Sequence, residues 1–169
     1  LRVLDLCAGS GAIGVAVAKA IPDALVDFAE IDEAHLPTIE KNLREIITPD
    51  SARSSRKDLE LPSSRCRVIH SNLFTPHPRP RSSRFNLELG RYDYILSNPP
   101  YIDPALDRAE SSVKLHEPHL ALYGGQAGME VIADIIVHAT DHLTPNGQLW
   151  IEHEPEQTVL IAEGAAMHG

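Results

Sequence analysis

The stretch Val3-Leu4-Asp5-Leu6-Cys7-Ala8-Gly9-Ser10-Gly11-Ala12-Ile13-Gly14 decides the fold. It opens on an apolar run of the kind that forms a buried strand. A turn of small residues follows. From Ala12 to Ala20 the chain is rich in Ala, Val and Ile until Pro22 stops it, which predicts a helix. Gly9 and Gly11 allow a tight turn and a close approach of backbone to a ligand. The free N–H groups of the helix start then face that ligand. The spacing of Gly9, Gly11 and Gly14 nominally matches G-x-G-x-x-G, which alone means no more than a strand-to-helix turn. Asp5 adds weight. A carboxylate at the end of a core strand must be used, either to fix the loop or to bind an ammonium group. Glu30 stands 19 residues after Gly11, where an acidic side chain can take ribose hydroxyls.

Outward from this stretch, strand and helix alternate. Residues 25–29 read as a second strand closing on Glu30. The next helix buries Leu36, Ile39, Leu43, Ile46 and Ile47 at helical spacing, and Pro37 predicts that it starts late or kinks. Residues 67–70 and 92–97 read as the third and fourth strands. Residues 129–143 form a helix with the stripe Val131, Ile132, Ile135, Ile136, Ala139 and Leu143. Thr144-Pro145-Asn146-Gly147 reads as a turn before a fifth strand at 148–152, and the Ala-rich stretch after Glu154 favours helix. Irregular inserts at about 48–64 and 75–90 are rich in Ser, Arg and Pro and lack periodicity. The order predicts an α/β fold with a mostly parallel, doubly wound sheet. Ligands in such sheets bind beside the topological switch point, at the carboxyl ends of the strands. That rule would bring the glycine turn, Glu30 and Asn98 together.

Asn98-Pro99-Pro100-Tyr101 ends the fourth strand. Two prolines fix two φ angles and remove two donors. The corner presents acceptors, the Asn98 side-chain oxygen and nearby carbonyls, which suit a planar –NH2 group. Tyr101 adds an aromatic face that can cover the reacting group and attract a cation. The phrase predicts a site that holds an amide or aromatic amine beside an electrophile.

A chain of 169 residues fits one domain. Its net charge of -9 argues against a protein whose main partner is nucleic acid, since phosphate needs a basic face. No apolar run approaches the roughly 20 residues that cross a membrane. The two cysteines, Cys7 and Cys66, do not make a disulfide framework.

The glycine stretch resembles the S-adenosylmethionine loop of class I methyltransferases. Ile95-Leu96-Ser97-Asn98-Pro99-Pro100-Tyr101-Ile102-Asp103 resembles the catalytic segment of the HemK/PrmC family of protein-glutamine N5-methyltransferases, which modify peptide-chain release factors. Glu117-Pro118, Ala121-Leu122, Gly128-Met129 and Trp150-Ile151-Glu152-His153 follow at that family's spacing. The resemblance implies a Rossmann-like methyltransferase domain over residues 1–169, a truncated catalytic fragment. The family's amino-terminal helical domain and the final antiparallel hairpin of its sheet would be missing. The strand edge thereby uncovered would favour self-association.

It implies S-adenosylmethionine as cofactor, no metal, and a release factor as protein partner. Asp5 and the loop Cys7, Ala8, Gly9, Ser10 and Gly11 would serve the methionine part. Glu30 would hold the ribose, with Ile31 beside it. Asn72 and Leu73 would border the adenine. Asn98, which would also contact the cofactor, and the Pro99 carbonyl would accept from the substrate amide, with Pro100 shaping the corner and Tyr101 packing over it. Cys7 stands where many members have Gly, which suits a position that needs no positive φ. Asn72 replaces the commoner Asp. The insert composition suggests a eukaryotic chain, for which the resemblance implies a mitochondrial setting, otherwise cytoplasmic.

Other motifs weigh less. His116 and His119 have metal-like spacing but lack a completing ligand set. His138 and His142 read as a solvated helix face. Gly124-Gly125-Gln126 copies the tripeptide at the catalytic tip of release factors and reads here as loop and helix start. Cys7 reads as a packed small residue and not as a reactive thiol. Two alternatives remain: an adenine-N6 nucleic-acid methyltransferase, which shares the Asn-Pro-Pro-aromatic corner, and a cofactor-binding module without catalysis.

Overall fold

A strand with neighbours on both sides and helices on both faces has to be apolar throughout. β1 (Arg2–Leu6) meets that demand, with Val3, Leu4 and Leu6 each at most 1% exposed. The computed structural model describes residues 1–47, 65–78, 89–106 and 119–168. After β1 come α1 (Ala12–Ala20), β2 (Leu25–Glu30), a 3₁₀ turn (Glu33–His35) running into α2 (Leu36–Ile47), β3 (Cys66–Asn72) and β4 (Thr75–Pro76). Then follow β5 (Tyr92–Ser97), α3 (His119–Leu122), a 3₁₀ turn (Gln126–Gly128), α4 (Glu130–His142), β6 (Leu143–Ile151), a 3₁₀ turn (Pro155–Gln157) and α5 (Thr158–His168).

The strand order is β4-β3-β2-β1-β5-β6. Every pair is parallel except β3–β4. The chain reverses its direction of travel across the sheet between β1 and β5, so the switch point lies there. α1 and α2 cover one face, where Val15, Ala18, Ile39 and Leu43 meet Val3, Val26 and Phe28. α4 covers the other with Ile135 and Ala139 against Leu4, Leu6, Tyr92 and Ile95. α5 packs on α4. Among the described residues no helix is long and apolar enough to cross a membrane.

Three local expectations change. Pro37 sits in the first turn of α2, where its missing donor costs nothing, and the preceding 3₁₀ turn is capped by Asp32, whose Oδ1 accepts the Ala34 N–H at 2.9 Å. The second insert begins as structure: β4 pairs with β3 through Ser71 with Pro76 and Asn72 with Thr75. Its remainder at 79–88, like the first insert, lies outside the described residues. The turn at 144–147 is absorbed into β6 as a bulge. Between Tyr92↔Leu143 and Tyr94↔Gln148, β5 advances two residues and β6 advances five. Pro145, Asn146 and Gly147 thus bend a strand edge without ending the strand. The helix expected after Glu154 is α5.

One polar network crosses the apolar sheet. Asp27 on β2 is 6% exposed. Its carboxylate accepts from Arg67 Nε on β3 at 2.7 Å and from Tyr92 Oη on β5, also at 2.7 Å. Arg67 Nη2 completes a two-pronged pair. Burial, and then the Asp27 charge, push the Tyr92 phenol well up, so its hydroxyl remains a donor. The network ties β5 to β2 over the top of β1. A Tyr92→Phe change leaves Asp27 short of one partner. We expect it to lower stability by about 1.5–3 kcal/mol, measured by urea unfolding, and to leave ligand binding at the far end of the strands unchanged.

Candidate active site

The carboxyl end of β1 is built around two buried carboxylates. Asp5 is 1% exposed, and its Oδ2 accepts the Gly14 N–H at 2.7 Å. That bond draws the first turn of α1 down onto β1. A Cβ on Gly14 would lie 2.3 Å from Phe28 Cε1 and 2.9 Å from Asp5 Oδ2, so only glycine permits the contact. Glu30 ends β2. Its Oε2 accepts the Gly9 N–H at 2.7 Å and its Oε1 accepts the Asp32 N–H at 2.8 Å. The loop after β1 is thereby fastened to the loop after β2. Asn42 Nδ2 donates to the Ser10 carbonyl at 2.9 Å and holds the same loop from α2.

These elements enclose a cavity of about 670 Å³, within the roughly 300–1,000 Å³ of small-molecule sites. Of the expected site residues, Cys7, Ala8, Gly9, Ser10, Glu30, Ile31, Asn72, Leu73, Asn98 and Pro100 line it. The glycine turn, Glu30 and Asn98 do meet at one place. Asp5, Gly11, Pro99 and Tyr101 are not among its lining residues. Asp5 is spent on Gly14, so the loop-fixing role is the one observed. Gly11 is the positive-φ residue before α1. Pro99 is buried, and Tyr101 turns its hydroxyl toward Glu152 Oε1, 3.4 Å away. Asn98 is exposed. Among the described residues nothing hydrogen-bonds its carboxamide.

The sequence reading missed one wall. Tyr123, Glu130, Val131 and Asp134 also face the cavity. Glu130 and Asp134 are one turn apart on the polar side of α4, a spacing visible in the sequence. Only the crossover geometry shows that this side overlooks the ends of the strands.

The backbone of the loop departs from expectation. Cys7 has φ 60, a left-handed conformation that L side chains avoid. The position does call for positive φ, and a cysteine occupies it. Burial pushes the Cys7 thiol up to about 12, which disfavours its thiolate. His138 meets Asp134, as a solvated face would. His142 does not belong to that face: it stacks on Phe74 with ring centroids 4.6 Å apart. Gly124-Gly125-Gln126 is loop leading into the 3₁₀ turn before α4. His116 lies outside the described residues.

Known proteins resemble this chain in sequence and in fold. Residues 1–115 match the model of the family described as methyltransferase small domain. The chain is 37% identical over 152 residues to a release factor glutamine methyltransferase of Gloeobacter violaceus, an alignment of 89% of this chain and 45% of that protein. It is 33% identical over 161 residues to a ribosomal protein uL3 glutamine methyltransferase of Neisseria gonorrhoeae, covering 95% of this chain and 46% of that protein. The chain therefore spans about half the length of these relatives. Among solved structures, a methyltransferase from Pyrococcus furiosus superposes with TM-score 0.59 at 18% identity, over 98% of this chain and 62% of that one. A ribosomal protein L11 methylase from Lactobacillus delbrueckii subsp. bulgaricus superposes with TM-score 0.57 at 17% identity, over 99% and 59%. These likenesses show the fold.

Asp5 generates a prediction of its own. Burial first, and then the neighbouring Glu30 charge, raise its pKa to about 7 against the opposing Gly14 bond. A carboxyl whose folded pKa lies above its unfolded value stabilises the fold at low pH. That contribution is lost as pH rises through the folded pKa. In Asp5→Asn, whose side-chain oxygen can still accept from Gly14, the fall in Tm between about pH 4 and pH 7 should be smaller than in the parent chain. Thermal melts across that range check it.

Proposed function

The chain belongs to the methyltransferase small-domain family, and on that premise we propose that it methylates the side-chain amide nitrogen of a glutamine, the acceptor protein being a peptide-chain release factor. The observation that carries the cofactor in this reading is the charge of the cavity. Its described wall holds four carboxylates, Glu30, Asp32, Glu130 and Asp134, and neither Lys nor Arg. A dinucleotide would bring its pyrophosphate into that field, whereas S-adenosylmethionine brings a sulfonium and an ammonium. The fit extends to shape. A Cβ on Gly9 would touch nothing within 4 Å, so the loop backbone stands open to a ligand there.

Glu30 would receive the ribose hydroxyls, since each of its oxygens has accepted only one backbone N–H and keeps a further lone pair. Cys7 to Ser10 would pass along the methionine part, and Ile31, Asn72 and Leu73 would border the base. When bound, the cofactor supplies a methyl group already activated by the sulfonium. The protein then has mainly to aim the acceptor. An amide nitrogen is a poor nucleophile because its lone pair is delocalised. The Asn98 carboxamide oxygen and the Pro99 carbonyl can accept both N–H groups and turn the nitrogen toward the cavity. Desolvation of the bound amide would add to this.

A second acceptor is favoured by a specific finding. One of the two relatives described above carries the name of a ribosomal protein uL3 enzyme, and the amide chemistry at Asn98 is the same for both. The mitochondrial setting rests on insert composition and the family resemblance, and the two named relatives are bacterial.

Calorimetry should show one site for S-adenosylhomocysteine, insensitive to a chelator. Tighter binding of NAD would overturn the cofactor assignment. In the full-length protein, Asn98→Ala should cut methyl transfer to a release factor by about 10²-fold or more with Tm unchanged, because Asn98 is exposed and its carboxamide bonds nothing among the described residues. Activity within a few-fold of the parent would refute the assigned role. Parallel assays with release factor and uL3 would identify the acceptor.

A further inference from the structure

One buried side chain far along the sequence commits its hydrogen bonds to the Asn-Pro-Pro-Tyr corner. Gln157, 6% exposed, closes the 3₁₀ turn that leads into α5. Its Oε1 accepts the Glu154 N–H at 2.9 Å. Its Nε2 donates to the Tyr101 carbonyl at 2.9 Å and to the Ala127 carbonyl at 3.0 Å. A carboxamide has two N–H donors, and both are used.

The surroundings are shaped for this contact. A Cβ on Gly128 would lie 1.9 Å from the Tyr101 carbonyl oxygen and 2.5 Å from Gln157 Nε2, so only glycine leaves room for the amide. Ala127 is held at φ 54, a conformation unfavourable to alanine, with its carbonyl on Gln157. The next residue of the corner is fixed as well: the Ile102 N–H donates to the Leu122 carbonyl at 2.9 Å, and its own carbonyl accepts from Gly124 at 3.1 Å. At the other end, the Ser97 carbonyl accepts the Glu152 N–H at 2.9 Å and the Ser97 hydroxyl donates to the Leu6 carbonyl at 2.8 Å. Residues 98–100 are strung between these two fastened ends. Pro99 and Pro100 have locked φ angles and absorb little movement, so a shift at the Tyr101 carbonyl passes back to Asn98.

We propose that Gln157 is a positioning residue for methyl transfer: by holding the Tyr101 carbonyl it sets the direction in which Asn98 and the Pro99 carbonyl face the acceptor amide. This rests on the amide-methylating function proposed above. Gln157 itself touches neither acceptor nor cofactor. Its bonds set the geometry that a transfer reaction is sensitive to, and the cofactor side of the cavity is built by other elements.

The test uses full-length protein with two near-isosteric variants. Gln157→Met removes all three bonds. Gln157→Glu keeps the acceptor for Glu154 and loses the donors to Tyr101 and Ala127. Three quantities are read: kcat for methyl transfer to a glutamine-containing acceptor, Kd for S-adenosylhomocysteine, and hydrogen exchange over residues 98–104. Both variants should lose about 10–100-fold in kcat, keep the parent Kd, and exchange faster at the corner. The retained Kd reports that each variant is folded. If the parent methylates glutamine and either variant keeps its kcat, or if Gln157→Glu behaves as the parent while only Gln157→Met fails, Gln157 is merely a turn cap and the positioning role is overturned with the function intact. A parent protein that methylates no glutamine amide overturns both.

Discussion

The bond from the Gly14 N–H to the Asp5 carboxylate is the constraint on which the site depends. A helix start has free donors, and an apolar strand end has nothing to offer them. Asp5 supplies the acceptor from inside the sheet. α1 must then descend onto β1 until Gly14 meets the Phe28 ring. With α1 and β1 fixed, the loop between them has one path, and its Gly9 N–H points at Glu30. Burying a carboxyl is costly and raises its pKa. The cost is accepted at this point because an apolar side chain would leave both the helix start and the loop unplaced.

The parts of this arrangement that follow from local rules were legible in the residues. The alternation of periods placed β1, α1, β2, β5 and α4 to within a residue or two, because burial on both faces leaves apolar runs that no loop shows. The topological rule then sufficed to bring Gly9, Glu30 and Asn98 to one cavity. What was not legible depends on distance along the chain. Thr144-Pro145-Asn146-Gly147 is a turn by composition, yet β5 on one side captures Leu143 and Gln148 alike and turns it into a bulge. The positioning of Gln157 was not legible, since the two carbonyls its Nε2 serves lie 56 and 30 residues away.

The side walls of the cavity show a division of labour. On the function proposed above, the cofactor side would be made by consecutive strand ends, β1 and β2, joined through Glu30. The acceptor side would be made by the 98–101 corner, which follows β5 and is held by Ser97 at one end and Gln157 at the other. The two sides meet at the sheet, where the Ser97 hydroxyl donates to the Leu6 carbonyl. Changes in the clamp can therefore alter aim without altering cofactor affinity, and changes at Glu30 should do the reverse.

Backbone strain marks the same places. Among the described residues, three non-glycine residues have positive φ: Cys7 at 60, Leu73 at 46 and Ala127 at 54. Such conformations cost on the order of 1–3 kcal/mol each and persist only where surroundings over-determine them. Cys7 and Leu73 line the cavity, and Ala127 offers its carbonyl to the clamp. Each is held by a bond or packing that would be lost on relaxation. The Ala8 N–H, next to Cys7, donates to Ala29 at 3.1 Å, and the Leu73 carbonyl accepts from the Ser71 hydroxyl at 2.6 Å. Loops free to relax would not put two of the three outliers in the wall of one cavity. Such strain is what a site that needs fixed geometry would show.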